Sequence, residues 1–210
     1  MKKLLFAIAF MMLTINVMAQ RYLECGFDAG LGSTTGVDRR LTGSYGITGG
    51  LTIENGLGLG VFFRGFQTSR EEDCSLSEFP DNDFCFRGYY GGVYAEQIFF
   101  RKSFFYMNVG AKWGMGGVNY SNHTVESEWF DPSSGTYNYI YEKADKHCVM
   151  SLEPFGGVNF VFGESFTLAA GAEYRNLFFT NLHCGNVHIA GTGDLNGFVY
   201  LLKAKFRVDF

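Results

Sequence analysis

The side chains best suited to hydrolytic chemistry are His147, Ser151 and Glu153, which lie within one short stretch of the chain. A histidine beside a serine, oriented by an acid, can move a proton off the hydroxyl and create a nucleophile. In an extended strand all three side chains share a face, but His147 and Ser151 are then roughly 13 Å apart. That spacing is too long for direct proton transfer. His147, His183 and His188 could instead ligate a metal, yet they belong to separate segments and carry none of the spacings of a structural zinc site. The five cysteines include no C-x-x-C pair. The expectation is no catalytic group, no metal and no cofactor, and so no enzyme.

The elements that carry these residues are strands. From Leu23 to Leu31, odd positions are apolar while Glu24, Gly26, Asp28 and Gly30 alternate with them, the period-2 signature of two unlike faces. The same pattern returns around residues 41–53, 57–64, 86–99, 105–115, 150–159, 166–175 and 198–210, giving eight strands. Asn55-Gly56 marks a tight turn. Pro154 is the exception within a strand, since proline donates no ladder hydrogen bond. Short links near 54–56, 100–103 and 161–165 alternate with long polar ones at about 32–40, 68–84, 116–147 and 176–195. The longest link is read as extending its two flanking strands rather than adding a pair. All long links thus gather at one end, as in a membrane barrel with short turns on one side and long loops on the other.

Charge placement separates this reading from a soluble barrel. A soluble barrel turns its charged face to water, whereas here the charged face carries glycine and both signs deep within the strands. Asp28, Arg64, Lys112, Glu153, Glu173, Arg175, Lys203 and Arg207 are expected to form a network inside a narrow lumen, with Glu96 also inward. Paired, such charges can persist where single ones are costly. The opposite face is aliphatic and aromatic, as lipid contact requires. Tyr22, Tyr45, Trp113, Tyr174 and Tyr200 are expected at the membrane interfaces.

Residues 1–19 read as a cleaved signal peptide: Lys2 and Lys3, an apolar run from Leu4 to Met12, and small residues Val17 and Ala19 before Gln20. Residues 20–210 then form one domain, an all-β, eight-stranded, antiparallel up-and-down transmembrane barrel. Its mild charge balance, 17 basic against 21 acidic residues, gives no reason to expect nucleic acid. Export permits disulfides. Cys74 and Cys85 fall in one long link, and Cys148 and Cys184 at one rim, so the expected bridges are Cys74–Cys85 and Cys148–Cys184. Cys25 is left free on the lipid face. Two other pairings of the four remain open.

The chain ends on an alternating aromatic strand whose last residue is Phe210. With that ending, residues 20–210 resemble the outer-membrane β-barrel and porin-like families, in particular the OmpA transmembrane domain, OmpX and the opacity proteins. The resemblance implies the outer membrane of a Gram-negative bacterium, with Phe210 as the signal read by the barrel-assembly machinery. It further implies lipid as a partner and a structural or interaction role through the outer loops. Trp129, Phe130, Tyr137, Tyr139 and Tyr141 are the loop aromatics available to an extracellular ligand. A small-solute channel and a lipid A-modifying enzyme are the alternatives.

Overall fold

The computed structural model describes residues 22–35, 39–53, 56–69, 71–72, 83–100, 104–122, 125–141, 146–179, 182–184 and 187–209. Thirteen strands occur among them, in chain order β1 (Tyr22–Ser33), β2 (Leu41–Thr52), β3 (Leu57–Thr68), β4 (Glu71–Glu72), β5 (Asp83–Phe99), β6 (Phe105–Asn122) and β7 (Val125–Asp131). Then follow β8 (Thr136–Tyr141), β9 (Lys146–Phe162), β10 (Phe166–Phe179), β11 (Leu182–Cys184), β12 (Val187–Ala190) and β13 (Gly197–Asp209). Eight long ones form a single antiparallel sheet in the order β3-β2-β1-β13-β10-β9-β6-β5, and β3 pairs with β5 to close it. Closure satisfies every ladder edge, the condition for a sheet to stand in hydrocarbon.

Local chemistry fixes the short turns. After β2, Gly56 takes φ +83° and its N–H reaches Ile53 O at 2.9 Å, so a tight turn closes at Gly56. Gly163 plays the same part, at φ +69°, between β9 and β10. These turns define one end of the barrel. The other end is longer: β5, β6 and β9 run 17, 18 and 17 residues, against about 9–11 needed to cross a bilayer. The excess lifts these strands roughly 20 Å beyond the hydrocarbon at the loop end.

Two expectations need correction here. The link over 116–147 does extend β6 and β9, but it also holds a strand pair: β7 and β8 form a separate two-stranded sheet. Polar residues on both faces argue against a membrane strand and not against a hairpin standing in water. Tyr22, expected at an interface, is instead buried inside the barrel, 1% exposed. It shares the parity of Glu24 and Asp28, and in a strand parity decides the face whatever the residue type.

Pro154 is accommodated without a change of register. The β9–β10 ladder runs from Phe166↔Phe162 to Glu173↔Phe155, skips two positions, and resumes at Asn176↔Leu152. The skipped pairs contain Pro154, whose missing N–H cannot serve that ladder. On its other side Pro154 stays in register with Ala111.

Candidate functional site: the barrel lumen

Alternation sends one side chain in two into the barrel, and the inward set is sorted by height. Near the turn end it is polar. Lys205 Nζ lies 2.7 Å from Glu24, Asn108 donates to Glu96 at 2.6 Å, and Asn159 donates to Asn108 at 2.9 Å. Arg207 lies over the Tyr22 ring at 3.9 Å.

The middle layer is charged. Arg64 donates to Asp28 at 2.8 Å and to Glu153 at 3.4 Å, and it pairs with Glu173. Lys112 holds the other oxygen of Glu173 at 2.7 Å, and the Tyr90 hydroxyl donates to Glu153. Lys112 and Lys203 both sit over the Phe155 ring, at 5.3 and 5.1 Å. Asp28, Arg64, Lys112, Glu153, Glu173 and Arg175 are buried, while Lys203 and Arg207 are half-buried. Seven of the eight network residues expected from the sequence therefore lie in this layer, six buried and Lys203 half-buried, and Arg207 stands apart at the turn end. Tyr90 belongs to the network too. The two adjacent tyrosine-bearing registers of its strand concealed it, although Glu96 fixes the inward parity.

Toward the loop end the lumen turns apolar. Phe66, Phe86, Val118, Val149, Leu177, Phe179 and Leu195 are all buried there. Leu195 arrives on the segment between β12 and β13, which is tied down by Asn196 accepting the Leu177 N–H at 2.7 Å and donating to Asn176 at 2.6 Å. Arg175 stacks on Phe66, 4.5 Å from its centroid, and Arg40 on Phe86 at 5.6 Å. Glycine makes room for these side chains: a Cβ on Gly88 would overlap the Phe66 ring, and one on Gly58 would lie 2.8 Å from Glu96 Cγ. Beside Asn108, Phe155, Lys203 and Lys205 a cavity of about 10 Å³ remains, room for one water at most.

The outer surface is the reverse of a soluble protein's. Phe27, Val61, Trp113, Tyr200 and Leu202 are exposed, Leu202 by 71%, while Arg64 and Lys112 are each 1% exposed. Only hydrocarbon makes that distribution favourable. No protein-family model and no curated protein matches the sequence. Among solved structures, Neisserial surface protein A aligns over 90% of this chain and 97% of its own, at 18% identity and a TM-score of 0.51. The N-terminal β-barrel domain of Pseudomonas aeruginosa OprF aligns over 91% of this chain and 100% of its own, at 10% identity and a TM-score of 0.51. By fold and by surface, this chain is a small membrane-spanning β-barrel of the outer-membrane type.

In an outer-membrane barrel the short turns are periplasmic and the long loops external, which orients the remaining residues. Tyr45, Trp113 and Tyr200 face lipid, and Tyr174 is half-exposed with its ring edge-on to Phe198 at 5.1 Å. Ser151 and Glu153 are buried in the lumen, where Glu153 is engaged by Tyr90 and Arg64. His183 and His188 occupy paired positions of the β11–β12 hairpin at the external rim, whereas His147 is on β9. Among the described residues no group of three His, Cys, Asp or Glu side chains could hold a metal ion.

Cys25 is an exposed free thiol on the lipid face near the periplasmic end, paired in register with Phe206. Cys85 and Cys148 are also free thiols. Cys74 lies outside the described residues, as do the side chain of Cys184, residues 1–21 and Phe210. The β7–β8 register sets Phe130 opposite Tyr137 and Glu128 opposite Tyr139, so the hairpin carries the loop aromatics.

Proposed function

We propose that this protein is a non-conducting outer-membrane anchor that displays its external loops to a partner outside the cell. The observation that carries the reading is the stratified lumen. An ion traversing the barrel would have to pass the Arg64 cluster and then an apolar layer built on Phe66, Phe86 and Leu177. An eight-stranded barrel has an interior just wide enough for side chains to fill. With the axis filled, the parts able to meet a ligand are the rim and its hairpins, where Trp129, Phe130, Tyr137, Tyr139 and Tyr141 cluster in sequence. Aromatic side chains supply large contact area at low entropic cost. This supports a binding role over transport or catalysis. In the same reading residues 1–19 direct export, Phe210 is recognised by the barrel-assembly machinery, and lipid is the constant partner of the belt.

Purified protein in a planar bilayer is expected to give no sustained single-channel steps. Reproducible unitary conductance would make it a small-solute channel and overturn the proposal.

The cysteine bridges belong to the same external rim. Cys148 lies near the start of β9 and Cys184 on β11, and the β9–β10 pairing brings their ends of the barrel together. We propose that Cys148–Cys184 and Cys74–Cys85 form on exposure to an oxidising compartment, with Cys25 left reduced on the lipid face. Non-reducing peptide mapping of protein isolated from membranes is expected to return those two cross-linked peptides. A peptide joining Cys25 to any other cysteine would refute both the pairing and the placement of Cys25.

A further inference from the structure

Arg175 stands out within the lumen. It is fully buried, its Nε donates to Leu195 O at 3.2 Å, and its Phe66 stack covers one face. Both terminal guanidinium nitrogens lack a hydrogen-bond partner. The carboxylates of the charged layer are committed elsewhere: Asp28 to Arg64, Glu153 to Tyr90 and Arg64, Glu173 to Arg64 and Lys112. By formal count three acids in that layer face four bases, Arg64, Lys112, Arg175 and Lys203, which leaves one basic group without an acid of its own. Ser151 is likewise fully buried with an unpartnered hydroxyl. It lies opposite Leu177 in the β9–β10 ladder, which makes it the diagonal neighbour of Arg175.

A buried guanidinium with free N–H groups is costly unless an acceptor meets it. Four N–H groups here have none, and the adjacent hydroxyl can add a fifth donor. An acceptor that also carries one negative charge would satisfy the donors and balance the formal count together. Phe66 covers one face of the guanidinium and Leu195 O takes its Nε–H, so only the terminal nitrogens are left for a ligand, and a small one. We propose that Arg175, assisted by Ser151, holds a monovalent inorganic anion of the halide class inside the lumen, as a structural counter-ion.

Bromide is the probe. Crystals of the detergent-folded full barrel grown with bromide in place of chloride are expected to show an anomalous peak at the Arg175 terminal nitrogens. An uncharged water there, or no density, would overturn the assignment. A second measurement needs no crystal. The thermal unfolding midpoint should be about 2–4 °C higher in sodium bromide than in sodium gluconate of equal ionic strength. In Arg175→Met, which keeps an apolar contact with Phe66, that anion dependence should vanish. Equal wild-type midpoints in the two salts, or an undiminished difference in the variant, would refute it. Should the variant fail to fold, the wild-type bromide map still decides.

Discussion

Arg64→Met is expected to destabilise the folded barrel by about 3–5 kcal/mol, the range found when one partner of a buried ion pair is removed. The side chain is 1% exposed and serves Asp28, Glu153 and Glu173 at once. Methionine fills much of the volume but leaves Asp28 without its cation and Glu173 with Lys112 alone. The measurement is a urea titration of the compact, unboiled gel band, whose mobility reports the closed barrel. Adding Asp28→Asn should restore part of the loss, because the second change removes a charge that the first one stranded. A coupling of about 0.5–3 kcal/mol is expected for groups in one network. If the single variant unfolds at the wild-type urea concentration, the charged layer is solvated and Arg64 is not its centre.

Phe66→Ala should cost a similar amount, about 3–5 kcal/mol, through the cavity it opens in the apolar layer. Three neighbours lose contact together. Tyr90 packs on the ring at a centroid distance of 6.1 Å, Arg175 stacks on it, and the ring occupies the space above Gly88. That last contact sets a sharper test. Gly88→Ala alone should destabilise, since the new methyl collides with Phe66. In the Phe66→Ala background the same methyl enters the cavity, so the change should become neutral or favourable. A Gly88→Ala penalty of equal size in both backgrounds would mean that Phe66 is not packed against that glycine.

Most of the barrel was legible from its alternation, and the places where it was not share one cause. Asp28, Arg64, Lys112, Glu153 and Glu173 could be assigned inward because each lies between apolar neighbours on the opposite face, so period 2 stands out. Phe66, Val118, Leu177 and Phe179 are also inward. Next to them the outward residues are small, polar or equally apolar, and the contrast between faces fades. Residues 116–122 and 176–179 therefore read as loop, although they continue β6 and β10. The pairings within the lumen were illegible for a different reason. They depend on which strands face each other across the barrel, and that follows from the strand register rather than from any one segment. Tyr22 shows the reverse error, in which residue type outweighed parity.

The charged layer also guards the assembly of the sheet. Slipping one strand by a single residue would turn its whole inward set outward. For β6 that would place Lys112 in hydrocarbon, for β3 Arg64, for β10 Glu173 and Arg175, and for β13 Lys203. A lysine or arginine on the lipid side near the bilayer midplane costs about 2–4 kcal/mol. Each such strand thus carries its own penalty against misalignment, independent of how well its backbone hydrogen bonds re-form. A ladder of amides is nearly indifferent to a one-step error, and this layer supplies the discrimination that the backbone lacks. The native register is thereby favoured over its one-step neighbours.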